Sequence, residues 1–134
     1  MIQDRHTDPP ATRCRRSGDD TGQAAVEFAV ALPLIVVAML AIAQVGVSIR
    51  NELAVELAAR EGARAAAVSA DSAGSASAAA RRAVALPMEV SVSSDGTSVS
   101  VTVTYVDPTD IAIIGAAIGP VTHTATATMA IEPP

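Results

Sequence analysis

The sequence predicts an α+β protein: a single long N-terminal transmembrane helix that continues into a small outer domain built on a three-stranded antiparallel sheet. Three observations predict it. The 22 residues from Phe28 to Ile49 carry no charge, and as a helix they rise about 33 Å against a hydrocarbon core of about 30 Å. Strong helix formers, Arg50 to Ala67, follow without a break. Beyond them, Val/Ser/Thr segments alternate with period two around an Asp-Gly pair, the pattern of a hairpin and a further strand.

Four segments follow from this: 1–22 as a hydrophilic leader, 23–49 as the membrane helix, 50–68 as its extramembrane continuation, and 69–134 as the outer domain. The leader balances Arg5, Arg13, Arg15 and Arg16 against Asp4, Asp8, Asp19 and Asp20. Cys14 is the chain's one cysteine and lies between arginines, which excludes an intramolecular disulfide and argues against lipidation. Gly22 stands five residues before Glu27, and Phe28 opens the apolar run. A carboxylate at the mouth of a membrane segment is costly unless something pairs with it.

A buried helix in a soluble protein is the alternative for Phe28–Ile49, but so short a chain has no second layer to surround it. Pro33 removes one backbone hydrogen bond and pushes on the carbonyl of Ala29, which predicts a local kink. Arginines flank both ends of the span (Arg13, Arg15 and Arg16 against Arg50, Arg60 and Arg64), so the positive-inside count is near a tie. The Ser/Thr-rich sheet suits an exported domain and puts the N-terminus inside. Beyond the span, Glu56 and Arg60 are spaced i,i+4, and Glu61 and Arg64 i,i+3, both supporting helix. Ala24 to Ala67 then forms one helix of roughly 65 Å. Its upper half is crowded with small residues (Ala54, Ala58, Ala59, Gly62, Ala63, Ala65), suited to close packing, with Gly62 the one weak helix former.

Ser69–Ser77 reads as a linker and Ala78–Leu86 as a short helix ended by Pro87. Asp95-Gly96 predicts a type I′ turn, with Val92 facing Val99, Val90 facing Val101 and Met88 facing Val103. Asp107-Pro108-Thr109-Asp110 ends the second strand. Ile111–Ile118 is apolar but too short to span a bilayer; it either packs as a short buried helix, the favoured reading because exposed apolar patches are uncommon, or forms a sticky surface loop. Val121–Ile131 alternates again and supplies the third strand, its Val121, His123, Ala125, Ala127 and Met129 on the face opposite Thr122, Thr124, Thr126 and Thr128.

Composition narrows the function. Half the residues are hydrophobic, yet the aromatics are only Phe28 and Tyr105. The net charge is −5, with nine cations that are all Arg, and no basic patch with interleaved aromatics exists for nucleic acid. His123 sits mid-strand as a packed residue, and Asp95, Asp107 and Asp110 occupy turns, where Asp has a local structural role. No metal site, no Cys/His dyad and no glycine-rich phosphate loop can be assembled. The expectation is no enzyme, no cofactor and no small-molecule substrate.

The leader ending in Gly22, Glu27 at the fifth position after it and Phe28 opening the helix resemble the class III leader of type IV pilins. Residues 22–40, GQAAVEFAVALPLIVVAML, and residues 58–67, AAREGARAAA, resemble the TadE-like minor pilins or pseudopilins of tight-adherence (Tad/Flp) pilus systems, including the proline six residues after the glutamate. Phe28 in place of the tyrosine usual in the short major pilin, together with the added outer domain, points to the minor class.

The resemblance implies a pilin-like arrangement and a bacterial cytoplasmic-membrane protein, with its C-terminal domain outside, acting in pilus biogenesis and adhesion. It implies cleavage by a prepilin peptidase between Gly22 and Gln23, leaving an α-amino group on Gln23 as counter-charge for Glu27. Partners would be that peptidase, other Tad pilins, inner-membrane assembly-platform proteins and membrane lipid. Two other readings stand beside it: a secreted protein whose signal peptide is cut after Ala43, and an uncut bitopic anchor with a small β-rich domain.

Overall fold

The computed structural model describes residues 19–111 and 113–131. Helix α1 runs Asp19–Ala67, α2 Ser72–Ala83, strand β1 Glu89–Ser94, β2 Ser98–Asp107, α3 Ile114–Ile118 and β3 Val121–Ala130. By internal packing the chain forms two units, one ending at Ile35 and one from Val36 onward. Among the described residues, the first contains the opening of α1, with Pro33 inside it. The helix ends where the sequence predicts but begins five residues earlier, so Gly22 and Gln23 are helical.

In the second unit, α1 supplies a stripe of small side chains at i,i+3/i+4 spacing. Val55, Ala58, Ala59, Ala63 and Ala66 are buried with Val99, Val101, Val103 and Tyr105 of β2. Small residues on one side and β-branched residues on the other let helix and sheet approach closely. Val55, Val99, Val101 and Val103 are the largest fully buried side chains, each contributing about 1.5–3 kcal/mol by removal from water. Glu56 and Arg60 form the expected pair at 2.9 Å, whereas among the described residues Glu61 makes no ion pair with Arg64.

The predicted linker is wrong over its second half. Helix α2 already begins at Ser72, because Asp71 caps it by accepting the Gly74 N–H at 3.0 Å. The hydroxyls of Ser72 and Ser75 donate to the Ala66 and Ala65 carbonyls at the open end of α1, at 3.2 and 3.3 Å. Serines that look like linker in isolation thus cap one helix and build the next. The helix also stops at Ala83 rather than Leu86.

The sheet has the order β1-β2-β3, antiparallel throughout. The first hairpin departs from its predicted register. Val92 pairs with Val101 and Val90 with Val103, so the central turn residues are Gly96 and Thr97 rather than Asp95 and Gly96. Asp95 stands at the first corner, where its carboxylate accepts the Thr97 N–H at 2.9 Å and the Ser98 N–H at 2.6 Å. Gly96, with φ +87°, takes the left-handed first central position of a type II′ turn. Each partner moves by two residues, so every side chain stays on its predicted face and the apolar pattern cannot tell the two registers apart.

Between β2 and β3 the register places Val99 opposite Met129, Val101 opposite Ala127, Val103 opposite Ala125 and Tyr105 opposite His123. The other face is a hydroxyl ladder: Ser100–Thr128 at 2.7 Å, Thr102–Thr126 at 2.8 Å and Thr104–Thr124 at 3.4 Å. The predicted packing of Ile111–Ile118 is met only in part. Helix α3 is a single turn, Ile114 is buried, and Ile113 and Ile118 are about 60% exposed.

Candidate functional site

The expected processing and assembly motif lies in the first unit. Gly22, Gln23, Val26, Glu27 and Phe28 all lie on α1 and all are exposed. Among the described residues, a Cβ placed on Gly22 would meet no atom within 4 Å, so none of them requires glycine there. Gln23 Nε2 donates to Glu27 Oε1 at 3.4 Å, one helical turn on. Position 23 therefore already faces the Glu27 carboxylate. Pro33 sits inside α1 without interrupting it.

From Val26 to Ile49 the helix exposes Val26, Phe28, Val30, Leu32, Leu34, Ile35, Met39, Ile42, Val45 and Ile49. Exposed apolar area on that scale is not maintained in water. Residues 22–67 include a window of mean hydropathy 2.5, none of it buried, consistent with a single membrane span.

Above that span the helix is tied to the sheet by two polar contacts on adjacent residues. Asn51 Nδ2 donates to Asp107 Oδ2 at 2.8 Å, both residues being buried. Asp107 Oδ1 also accepts the Thr109 N–H at 3.0 Å, so the expected turn role of Asp107 holds and a long-range role adds to it. Glu52 Oε2 lies 2.9 Å from His123 Nδ1. His123 is packed as expected, its ring parallel to Tyr105 at 6.4 Å between centroids, but Glu52 was no part of the sequence expectation. A carboxylate on a helix and a histidine in a strand 71 residues apart leave no local signal to pair them.

Burial, with Asp107 and Asp110 adding to it, pushes the Tyr105 hydroxyl above the ordinary tyrosine range. The Ser98 and Thr97 amides, with the Ser98 hydroxyl, hold the Asp95 carboxyl down to about 2. Both effects are structural. Among the described residues no three His, Cys, Asp or Glu side chains gather as a metal site.

Comparison with curated proteins and with solved structures returns no match. A family model described as TadE-like protein matches residues 22–64. That match opens at Gly22, covers the exposed apolar span and ends within the stripe that packs on the sheet. Over this long helix, and over about a third of the chain, the sequence is similar to the TadE-like protein family.

Proposed function

We propose that the protein is a minor pilin or pilus-assembly pseudopilin of a Tad/Flp pilus, cut by a prepilin peptidase between Gly22 and Gln23. The observation that carries the reading is the exposed Gly22–Phe28 motif leading into an exposed apolar helix, in a segment that matches the TadE-like family. Similarity to that family over the helix supports a role in Tad pilus biogenesis. The cleavage site, the inside-to-outside topology and the adhesive role are parts of the proposal.

The chemistry is a binding and positioning one. Cleavage needs the first turn of α1 to unwind from Asp19 through Gln23. Helix ends open at little cost, and Gly22 lowers that cost by about 1 kcal/mol relative to alanine. The cut replaces a peptide N–H by a cationic α-amine at Gln23, one turn from Glu27. The paired charges then neutralise each other at the membrane boundary and set the register between neighbouring subunits. Prepilin peptidase, other Tad pilins and the inner-membrane assembly platform are the partners this role requires.

N-terminal sequencing of the membrane-extracted protein tests the reading. A start at Gln23 supports it. A start at Gln44 supports signal-peptidase cleavage, and an intact leader supports an uncut anchor. Gly22→Val is expected to block processing while the chain still inserts. Glu27→Ala is expected to permit insertion and to reduce piliation, and wild-type piliation in that variant removes the role given to Glu27.

A further inference from the structure

We propose that the connection between β2 and β3 makes a second membrane contact through residues 113–118, which seats Ile113 and Ile118 in the outer leaflet beside the helix. The inference rests on the membrane reading of α1.

The position of the connection follows from the packing of β2 on α1. A Cβ on Gly62 would lie 3.1 Å from Val101 Cγ1, and six residues later Asp107 meets Asn51. Strand β2 therefore descends along the helix toward its N-terminal side. The chain leaving Asp107 continues past Asn51, and β3 returns at the same level, where His123 meets Glu52. Over this stretch α1 has a covered side: Leu40, Ala41 and Ser48 are half-buried and Gln44 is buried. The connection leaves β2 at Asp107 and enters β3 on this side of α1. Gln44 lies about 8 Å along the helix below Ile49, the end of the apolar span. That depth is comparable with the ~5–10 Å to which interfacial elements sink.

The chemistry of the connection fits that level. No charge occurs between Asp110 and Glu132. Ile113 is exposed although its backbone is left-handed, with φ +72°. For a β-branched residue that conformation is unfavourable, and in water it would serve only to present an apolar side chain to solvent. Against acyl chains the same exposure is favourable. The strands that the connection joins meet α1 at Asn51 and Glu52, directly past Ile49 at the end of the uncharged span, which makes lipid the occupant.

Single cysteines placed on a Cys14→Ser background test this in phosphatidylcholine nanodiscs holding one copy each. Ile113→Cys, Ile118→Cys, Thr97→Cys and Ile42→Cys are labelled with an environment-sensitive fluorophore and exposed to nitroxide-bearing lipid or aqueous iodide. The expected result is blue-shifted emission at 113 and 118, lost to lipid nitroxide and protected from iodide, with the reverse at 97. Emission at 113 and 118 that matches 97 overturns the proposal, as does protection from both quenchers, which would mean cover by protein. Ile42→Cys separates the two levels: quenching there by lipid nitroxide upholds the membrane helix even if the connection proves wet, and iodide access there removes both readings. Because Ile113 and Ile118 are independently exposed, misfolding of one variant leaves the other to decide.

Discussion

Gly62 sits where α1, α2 and β2 come closest, and it makes the packing of helix on sheet measurable. A methyl group there would stand 3.1 Å from Val101 Cγ1 and 3.3 Å from the Ala76 carbonyl oxygen. Val101 is fully buried and Ala76 contributes backbone, so neither can swing aside. Gly62→Ala gains about 1 kcal/mol of helix propensity and loses a comparable amount to crowding, for a net change near zero. Gly62→Val adds two further methyl groups to a space that one already overfills. Overpacking of this kind costs ~1–3 kcal/mol, and with both neighbours fixed a loss of about 2 kcal/mol is expected.

For a unit of this size, that loss lowers the melting midpoint by roughly 8–16 °C. The assay is thermal unfolding of the full chain in detergent micelles, followed by the sheet signal in circular dichroism. Val101→Ala in the Gly62→Val background removes the clashing methyl and should recover part of the loss, with a coupling of ~0.5–3 kcal/mol across the double-mutant cycle. A Gly62→Val protein that melts with the wild type would refute the close packing of α1 on β2.

Three further perturbations probe other contacts. Asn51→Ala leaves Asp107 Oδ2 buried without its donor and should cost about 2 kcal/mol in the same melt. Gln44 has a buried, unpartnered Oε1, so Gln44→Leu is expected to be neutral or to stabilise by about 1 kcal/mol; a clear destabilisation would mean that the amide has a partner in the membrane. Asp95, held at about 2 in the fold, titrates near 4 in the unfolded chain. Its contribution is therefore fully present above about pH 4 and is lost as pH falls through about 2. Asp95→Ala should lower the midpoint above that window and converge with the wild type below it, and a constant gap at all pH values would show that the hairpin does not depend on the carboxylate's charge.

Much of this architecture was legible in the residues. The uncharged run to Ile49 forms an exposed apolar helix, while the alanine stripe and the two-residue alternation of Val99–Tyr105 and Val121–Met129 each encode one face of an element, and those faces pack as the pattern predicts. What was not legible depended on partners distant in the chain or on ambiguities of parity. Ser72 and Ser75 read as linker because their hydrogen-bond acceptors, the last carbonyls of α1, are supplied by the fold. The hairpin register was missed by two because both registers put the same side chains inward, and only the hydrogen bonds of Asp95 separate them. Glu52 gave no sign of its contact with His123. Of the candidate site, Gly22, Glu27 and Phe28 were singled out by their spacing, whereas the helical state of Gly22 and Gln23 was not foreseen.

Asn51 and Glu52, neighbours on one helix, grip neighbours in one sheet: Asp107 at the end of β2 and His123 near the start of β3. A seam of alanine and valine is smooth, and by itself it resists sliding or rotation poorly. Two polar contacts about 100° apart around the helix axis act as a key in a slot, fixing both height and rotation at a single level. Tension along the helix would enter the domain at that key and run along β2 and β3 rather than across them. The ladder bonds between those strands would then share the load in shear, instead of opening one after another. The domain is thus keyed to its helix at the end nearest the apolar span, where a pull along α1 would first be felt.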